Sequence, residues 1–399
     1  MTAMNFDVVA VCMEAPTPGH AAYDNTMDAL KALEGDGQLD KIRLDGTVMV
    51  KPNFTQPPNP SLKYGPRDSD LSVHNHVCTD PFSIMAACDF IKVHGGRPFI
   101  AEGNKWPGGT KGVFLQMGCE SLLEGMDVEL YDTLTSGERE RVQISPSKAW
   151  NRDFASFEVN RIFGEVDAIF NIAKMKCHSN ALITGTIKNL YGALEPFERR
   201  AEGHYCADPL WAPISRKNMA QGYKLLCETF VQVHDAILRS FGLDEVCVIE
   251  GIIAGEGDGP LYQPARPRQE NVMLASVDTP ATIDAAESYY AGFSPEFLAN
   301  EAEYRLGQLK YVPDEEFLDS YANQYFLKLA GSVGMGKTSG FSVYAITAGA
   351  TEVIPCDKLG LLRRGEVFEL PTFVRYAANT PLYERIPDGE LEFKVEAAA

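Results

Sequence analysis

Positive charge is scarce in this chain: 36 lysines and arginines stand against 55 aspartates and glutamates, for a formal net charge of −19. Such a field repels nucleic-acid phosphates and anionic lipid headgroups, so neither nucleic acid nor a membrane surface is an expected partner. Organised cysteine is missing as well. The nine cysteines are scattered and no two form a C-x-x-C pair, which excludes a disulfide framework and gives no ligand set for an intrinsic iron–sulfur cluster. They read as reduced, mostly buried thiols. No apolar run reaches the length of a membrane-spanning helix, and the first twenty residues lack a basic segment followed by an apolar one. The expected location is therefore the cytoplasm.

What is present is enough for a large core, since 45% of the 399 residues are hydrophobic. Short β-branched runs at 8–13, 47–51, 98–101, 128–131, 168–173, 246–250, 272–277 and 341–347 read as strands. Helical patterns at 25–33, 81–94, 219–241 and 280–291 lie between them. Near-continuous apolar strands alternating with helices predict an α/β fold with a mostly parallel, Rossmann-like sheet covered by helices on both faces. Residues 1–296 are expected to form this core, and 297–399 a helical, then strand-containing extension packed on it. Two long loops are expected at 56–70 and 255–268.

Against the acidic background, "NIAKMKCHSNALITGTIKNLYGALE" (171–195) concentrates Lys174, Lys176, His178 and Lys188 where a buried strand stops. In open α/β sheets ligands bind at the carboxyl ends of strands. Lys174, Lys176 and His178 are spaced by two, so on a strand they form one row while Met175 and Cys177 face the packing. Lysines there hold a carboxylate or phosphate, and a desolvated lysine becomes a base or an imine-forming amine. Lys51, at the end of another strand, is expected to converge with them, and the bland alternative is pairing with surface carboxylates.

The motifs "KPNF" (51–54), "TDP" (79–81), "HGGRPFIAEG" (94–103), "AKMKCHSNALITGTIKNLYGAL" (173–194), "GEGDGP" (255–260) and "NVMLASVDTPATIDA" (271–285) occur in one order. Over roughly residues 47–295 the chain thereby resembles the family named domain of unknown function 362. The resemblance implies a fold and a site at these motifs, without implying a reaction. Members of that family often carry aspartate where this chain has Glu250, and many bear a ferredoxin-type iron–sulfur segment for which this chain has no cysteine-dense stretch.

The residues and the motifs together nominate Lys176, His178, Lys188 and Glu256 for proton movement. Lys51, Asn53, Lys174, Thr184, Asn189, Gly192, His204 and Gly259 are nominated for holding the substrate. A divalent metal (Mg, Zn or Fe) is left open as a cofactor at one of two places. Glu250, Glu256, Asp258, Asp278 and Asp284 flank two strands and a glycine-rich loop and could offer oxygens, with Glu250 and Asp278 as the named pair. "HNHVC" would put His74, His76 and Cys78 on one face if extended, a donor set suited to a first-row metal. "GSVGMGKTS" (331–339) satisfies the letters of a phosphate-binding loop, but a helical pattern precedes it and a strand pattern follows, the inverse of what that loop needs. No nucleotide is expected there.

The reading is an enzyme that binds a small anionic metabolite at the carboxyl edge of a parallel sheet. Isomerisation, elimination or group transfer by acid–base chemistry fits. Two rivals stay open, a redox protein with a metal at His74, His76 and Cys78, and a non-catalytic metabolite-binding protein. A homo-oligomer is compatible with all three.

Overall fold

The computed structural model of the chain describes residues 6–55, 76–104, 108–145, 155–178, 181–194, 219–257, 265–293 and 325–369. Their strands are β1 (Val8–Cys12), β2 (Thr47–Pro52), β3 (Arg97–Glu102), β4 (Glu129–Asp132), β5 (Arg139–Gln143), β6 (Ser156–Asn160), β7 (Ala168–His178), β8 (Leu182–Ile183), β9 (Asp244–Glu256), β10 (Arg266–Val277), β11 (Ser342–Thr347) and β12 (Thr351–Pro355). The helices are α1 (Pro18–Gly35), α2 (Pro81–Val93), α3 (Gly109–Gln116), α4 (Cys119–Leu122), α5 (Gly185–Leu190), α6 (Met219–Phe241), α7 (Pro280–Ala291) and α8 (Tyr325–Ser332).

Among the described residues one ten-stranded sheet runs β12-β11-β1-β10-β9-β7-β2-β3-β4, with β8 hung on the end of β7. β4, β3, β2, β7 and β9 pair in parallel, and so do β1 and β11. β10 and β12 run the other way. The fold is α/β with a mostly parallel central sheet, as its apolar strands imply. All eleven residues of β7 are buried, which requires cover on both faces. One apolar layer joins α1, α2, α3 and α4 to the sheet through Leu30, Ile84, Val113, Cys119 and Phe170. The other joins α5, α6, α7 and α8 through Leu190, Phe230, Ile283, Leu327 and Met175.

Local chemistry explains the helix starts. α2 begins where the Asp80 carboxylate accepts the Phe82 amide at 2.9 Å and Pro81 fills the first turn. Thr17 and Pro18 do the same for α1, which starts well before the expected residue 25. Three further expectations need correction. β5 and β6 form a separate antiparallel pair, missed because the charged RERVQ and SFEVN stretches present no apolar run. Residues 255–256 and 266–268 are strand and not loop, since β9 and β10 continue as an antiparallel ladder to the pairing of Glu256 with Arg266. The segment from His76 to Cys78 turns and is not extended, so alternation of side chains does not apply to it. The expected 56–70 loop lies outside the described residues. Residues 325–369 add α8, β11 and β12, and β11 joins the same sheet beside β1.

Candidate functional site

β2, β3, β7 and β9 are parallel, so Lys51, Glu102, Lys174, Lys176 and Glu250 all arrive at the carboxyl edge of the sheet. Met175 and Cys177 point into the apolar layer beneath α5, α6 and α7, and alternation sends Lys174 and Lys176 to the other side of β7. The register slips here: Lys174 pairs with Glu250 but Lys176 with Gly255. Gly255 is required at that slip, because a Cβ on it would stand 2.6 Å from the His76 carbonyl oxygen and 3.0 Å from Lys176 Cβ.

The three lysines differ in their partners. Lys51 Nζ meets Glu102 Oε2 at 2.9 Å and the Pro52 carbonyl at 2.8 Å, and the pair is almost wholly buried. Glu102 also takes the amides of Phe54 and Gly103. Lys174 Nζ meets Glu250 Oε2 at 2.6 Å with neither side chain exposed, and Glu250 takes the amides of Asp80 and Ile252. Buried ion pairs of this kind hold only when the remaining lone pairs are also satisfied, and here they are. Lys176 is different. Its Nζ donates to Asn53 Oδ1 at 2.5 Å, Thr55 Oγ1 at 3.0 Å and the Val77 carbonyl at 2.5 Å, and among the described residues no carboxylate lies in ion-pair range of it. Burial lowers its pKa to about 8; Lys174 acts in the same direction, while Cys78, Glu287 and Glu102 oppose it.

Lys51 and Lys174, nominated for holding the substrate, each already have a carboxylate of this chain, and the pairs are interior and not on a wet surface. Lys188 is half-buried with its Nζ 5.6 Å from the Phe230 ring centre, so it leans on α6. His178 is buried at the last position of β7, where the chain reverses to pair with Leu182.

A second layer of acids supports this edge from α7. The Asp284 carboxylate accepts from the Thr186 and Ile187 amides and the Thr186 hydroxyl, which ties down the start of α5. Gly185 makes the approach possible: its φ is +59° and a Cβ there would fall 2.4 Å from Asp284 Oδ2. Glu287, one turn on, accepts the backbone amide of Lys176 at 3.2 Å, while its Oε2 has no hydrogen-bond partner among the described residues. Burial pushes both acids up, Asp284 to about 7 and Glu287 well above the ordinary carboxylate range. Thr184 is buried and gives its amide to the Lys176 carbonyl.

Asn53 and Asn189, nominated from the sequence, are joined side chain to side chain at 2.8 Å. Gly192 lies beside the Lys51–Glu102 pair. Glu256 is held by Arg268 at 3.1 Å and takes the Glu369 amide. His74, His204, Asp258 and Gly259 lie outside the described residues. Glu250 and Asp278 are at opposite ends of the sheet, because β10 runs antiparallel and delivers Asp278 to the start of β9, where it accepts the Glu245 amide and pairs with Lys41. They cannot share a metal. Among the described residues no three His, Cys, Asp or Glu side chains are grouped to hold one. Lys337 follows a helix and precedes a strand, and its Nζ reaches Asp7 at 2.7 Å. An open cleft of about 560 Å³ beside it, walled by Phe6, Tyr289 and Pro355, is at the amino end of β1 and β11, the opposite end from Lys176.

A family model described as Domain of unknown function (DUF362) matches residues 48–287, well over half of the chain. The chain belongs to this family. The matched span runs from β2 to Glu287 on α7 and so contains every residue of the lysine cluster. Thylakoid-associated protein sll1697 of Synechocystis sp. (strain ATCC 27184 / PCC 6803 / Kazusa) is 24% identical over 249 residues, covering 62% of this chain and 64% of that relative's length. The lactate racemase apoprotein from Thermoanaerobacterium thermosaccharolyticum aligns with 60% of this chain and 50% of its own, at 13% identity and a TM-score of 0.33. No helix among the described residues is long and apolar enough to cross a membrane.

Residues that the sequence reading missed are Thr55, Glu102, Asn171, His234, Glu245 and Glu287. Glu102 and Glu245 carried a signal, a carboxylate inside or beside an apolar strand, which is tolerated only with a partner.

Proposed function

We propose that this protein is an enzyme that moves a proton on a small carboxylate- or phosphate-bearing metabolite at the carboxyl edge of its sheet, with Lys176 as the group that takes and returns the proton. The observation that carries this reading is the asymmetry of the lysine cluster. Lys51 and Lys174 are neutralised by Glu102 and Glu250, whereas the Lys176 ammonium is buried among three neutral oxygens. A structural lysine gains nothing from that arrangement, and a proton-transfer lysine needs it: burial beside a second cation brings it near neutral pH, where it can work in both directions. An anion seated beside Lys176 would supply the negative charge that its partners among the described residues lack. Half-buried Asn53, Thr55 and Gly192 offer polar atoms at the rim.

In its neutral form Lys176 takes a proton from a carbon next to the anionic group, and the C–H electron pair stays on the substrate. Returning the proton to another position is an isomerisation; loss of a neighbouring leaving group with that electron pair is an elimination. We place this chemistry in the cytoplasm, a reading supported by the buried thiols of Cys88, Cys119, Cys177 and Cys247.

The test is incubation in D2O with a panel of carboxylate and phosphate metabolites, followed by NMR. Deuterium should enter at least one of them with the wild type and none with folded Lys176→Met. Tight binding of a panel member with no exchange would instead identify a binding protein.

A further inference from the structure

A chain of side-chain amides connects the Lys176 ammonium to a carboxylate at the far end of the sheet. Asn53 Oδ1 accepts from Lys176, Asn53 Nδ2 donates to Asn189 Oδ1 at 2.8 Å, and Asn189 Nδ2 donates to Asn171 Oδ1 at 2.7 Å. Asn171 Nδ2 donates to Glu245 Oε1 at 2.6 Å, and that oxygen also meets His234 Nε2 at 3.2 Å. Glu245 is the second residue of β9, at the amino edge, and with Asn171, Asn189 and His234 it is fully or almost fully buried.

An asparagine can sit either way round, so the direction of such a chain needs a cause. Here two acceptors impose it at Asn171 and two at Asn189, and Asn53 follows from them. Asn171 turns its NH2 toward both Glu245 and the Thr186 carbonyl at 2.9 Å, neither of which can donate. Its oxygen therefore faces Asn189, which turns its own NH2 toward Asn171 and the Lys51 carbonyl at 3.3 Å. That leaves Asn189 Oδ1 for the Asn53 NH2, and Asn53 must present its oxygen to Lys176. The three amide dipoles line up, each with its negative end toward the ammonium. Glu245 is ionised: burial pushes it up, but His234 and the hydrogen bonds from His234, Asn171 and Cys247 outweigh that and hold it below the ordinary value.

We infer that Glu245 is a positioning residue for Lys176, acting through Asn171, Asn189 and Asn53 to fix which atom faces the ammonium. The inference rests on the proposed role of Lys176 and adds how that role is set. A carbonyl oxygen on Nζ favours the protonated form, and an NH2 group there would favour the free amine. Among the described partners of Nζ, the Thr55 hydroxyl can change from acceptor to donor when the proton leaves. Other groups facing Lys176 are Lys174 on β7, Cys78 before α2, Glu102 on β3 and Glu287 on α7. His234 on α6, Cys247 on β9 and Asp278 after β10 face Glu245. None of these others passes through the amide chain.

The experiment is an NMR titration of lysine side-chain nitrogens in the full chain, with the Lys176 signal assigned by its loss in Lys176→Met. The wild-type midpoint should lie near 8, and in Glu245→Gln and Asn189→Ala, checked for folding by circular dichroism, it should fall by about half a unit or more. In the wild type, which needs no variant, the side-chain NH2 signals of Asn53 and Asn189 should move with the same midpoint as Lys176. A wild-type Lys176 that titrates like a free lysine would overturn the proposed function itself. A midpoint near 8 that neither folded variant moves, or asparagine signals that ignore the titration, would overturn the relay and leave that proposal standing.

Discussion

Replacing Lys176 by methionine should make the protein less sensitive to alkaline pH, and the size of the effect follows from burial. Burial in the folded protein lowers the ammonium's pKa to about 8, against 10.5 for an ordinary lysine. A lysine whose folded pKa is depressed binds fewer protons in the folded state between those values, so stability rises with pH across that window. Keeping the charge buried at pH 7 costs about 3 kcal/mol, and by pH 10 the cost has fallen below about 1 kcal/mol. Lys176→Met removes that cost and also removes three hydrogen bonds. Asn53 and Thr55 are half-buried and can turn to water, so the main loss is at the Val77 carbonyl, roughly 1–3 kcal/mol. At pH 7 the variant should therefore be about as stable as the wild type or somewhat more stable. Denaturant melts of both proteins at pH 7 and pH 10 should show the wild type gaining about 2 kcal/mol on the variant between the two. A stability difference that does not change with pH would mean that Lys176 titrates normally and is not desolvated as the geometry requires.

Two further outcomes follow from the acids around the cluster. Lys51→Met alone should cost about 3–5 kcal/mol in a denaturant melt, because Glu102 is left buried and unpaired, while Lys51→Met combined with Glu102→Leu should recover most of that. Asp284, raised by burial from 3.8 to about 7, holds its proton more tightly in the folded state. Its contribution to stability is thus lost as pH rises from about 4 through 7; Asp284→Asn should flatten that part of a thermal-melt series, and an unchanged slope would assign it to other groups.

Much of the architecture was legible because it rests on local rules. β7 announces itself as an unbroken apolar run that turns basic at its end, and Pro81 after Asp80 marks the start of α2. The extra length of β9 and β10 was not legible, since "GEGDGP" and "ARPRQ" look like turn chemistry and become strands only by pairing with each other. That antiparallel pairing also moved Asp278 to the wrong end of the sheet for the acidic site expected of it. At the lysine cluster, spacing by two identified the row, and the motif around Lys51 and Asn53 identified its neighbours. Which lysines pair with a carboxylate was invisible, because Glu102 lies 51 residues from Lys51 and Glu250 76 residues from Lys174. The asparagine chain was equally hidden, with Asn53 and Asn189 separated by 136 residues.

The most direct measurement of the central claim is the pH dependence of deuterium exchange into a metabolite that the wild type labels. If neutral Lys176 takes the proton, the rate should rise with pH and level off around 8, and Lys176→Met should show no exchange at any pH while remaining folded. Exchange that persists in Lys176→Met, or a rate with no inflection in that region, would contradict the account.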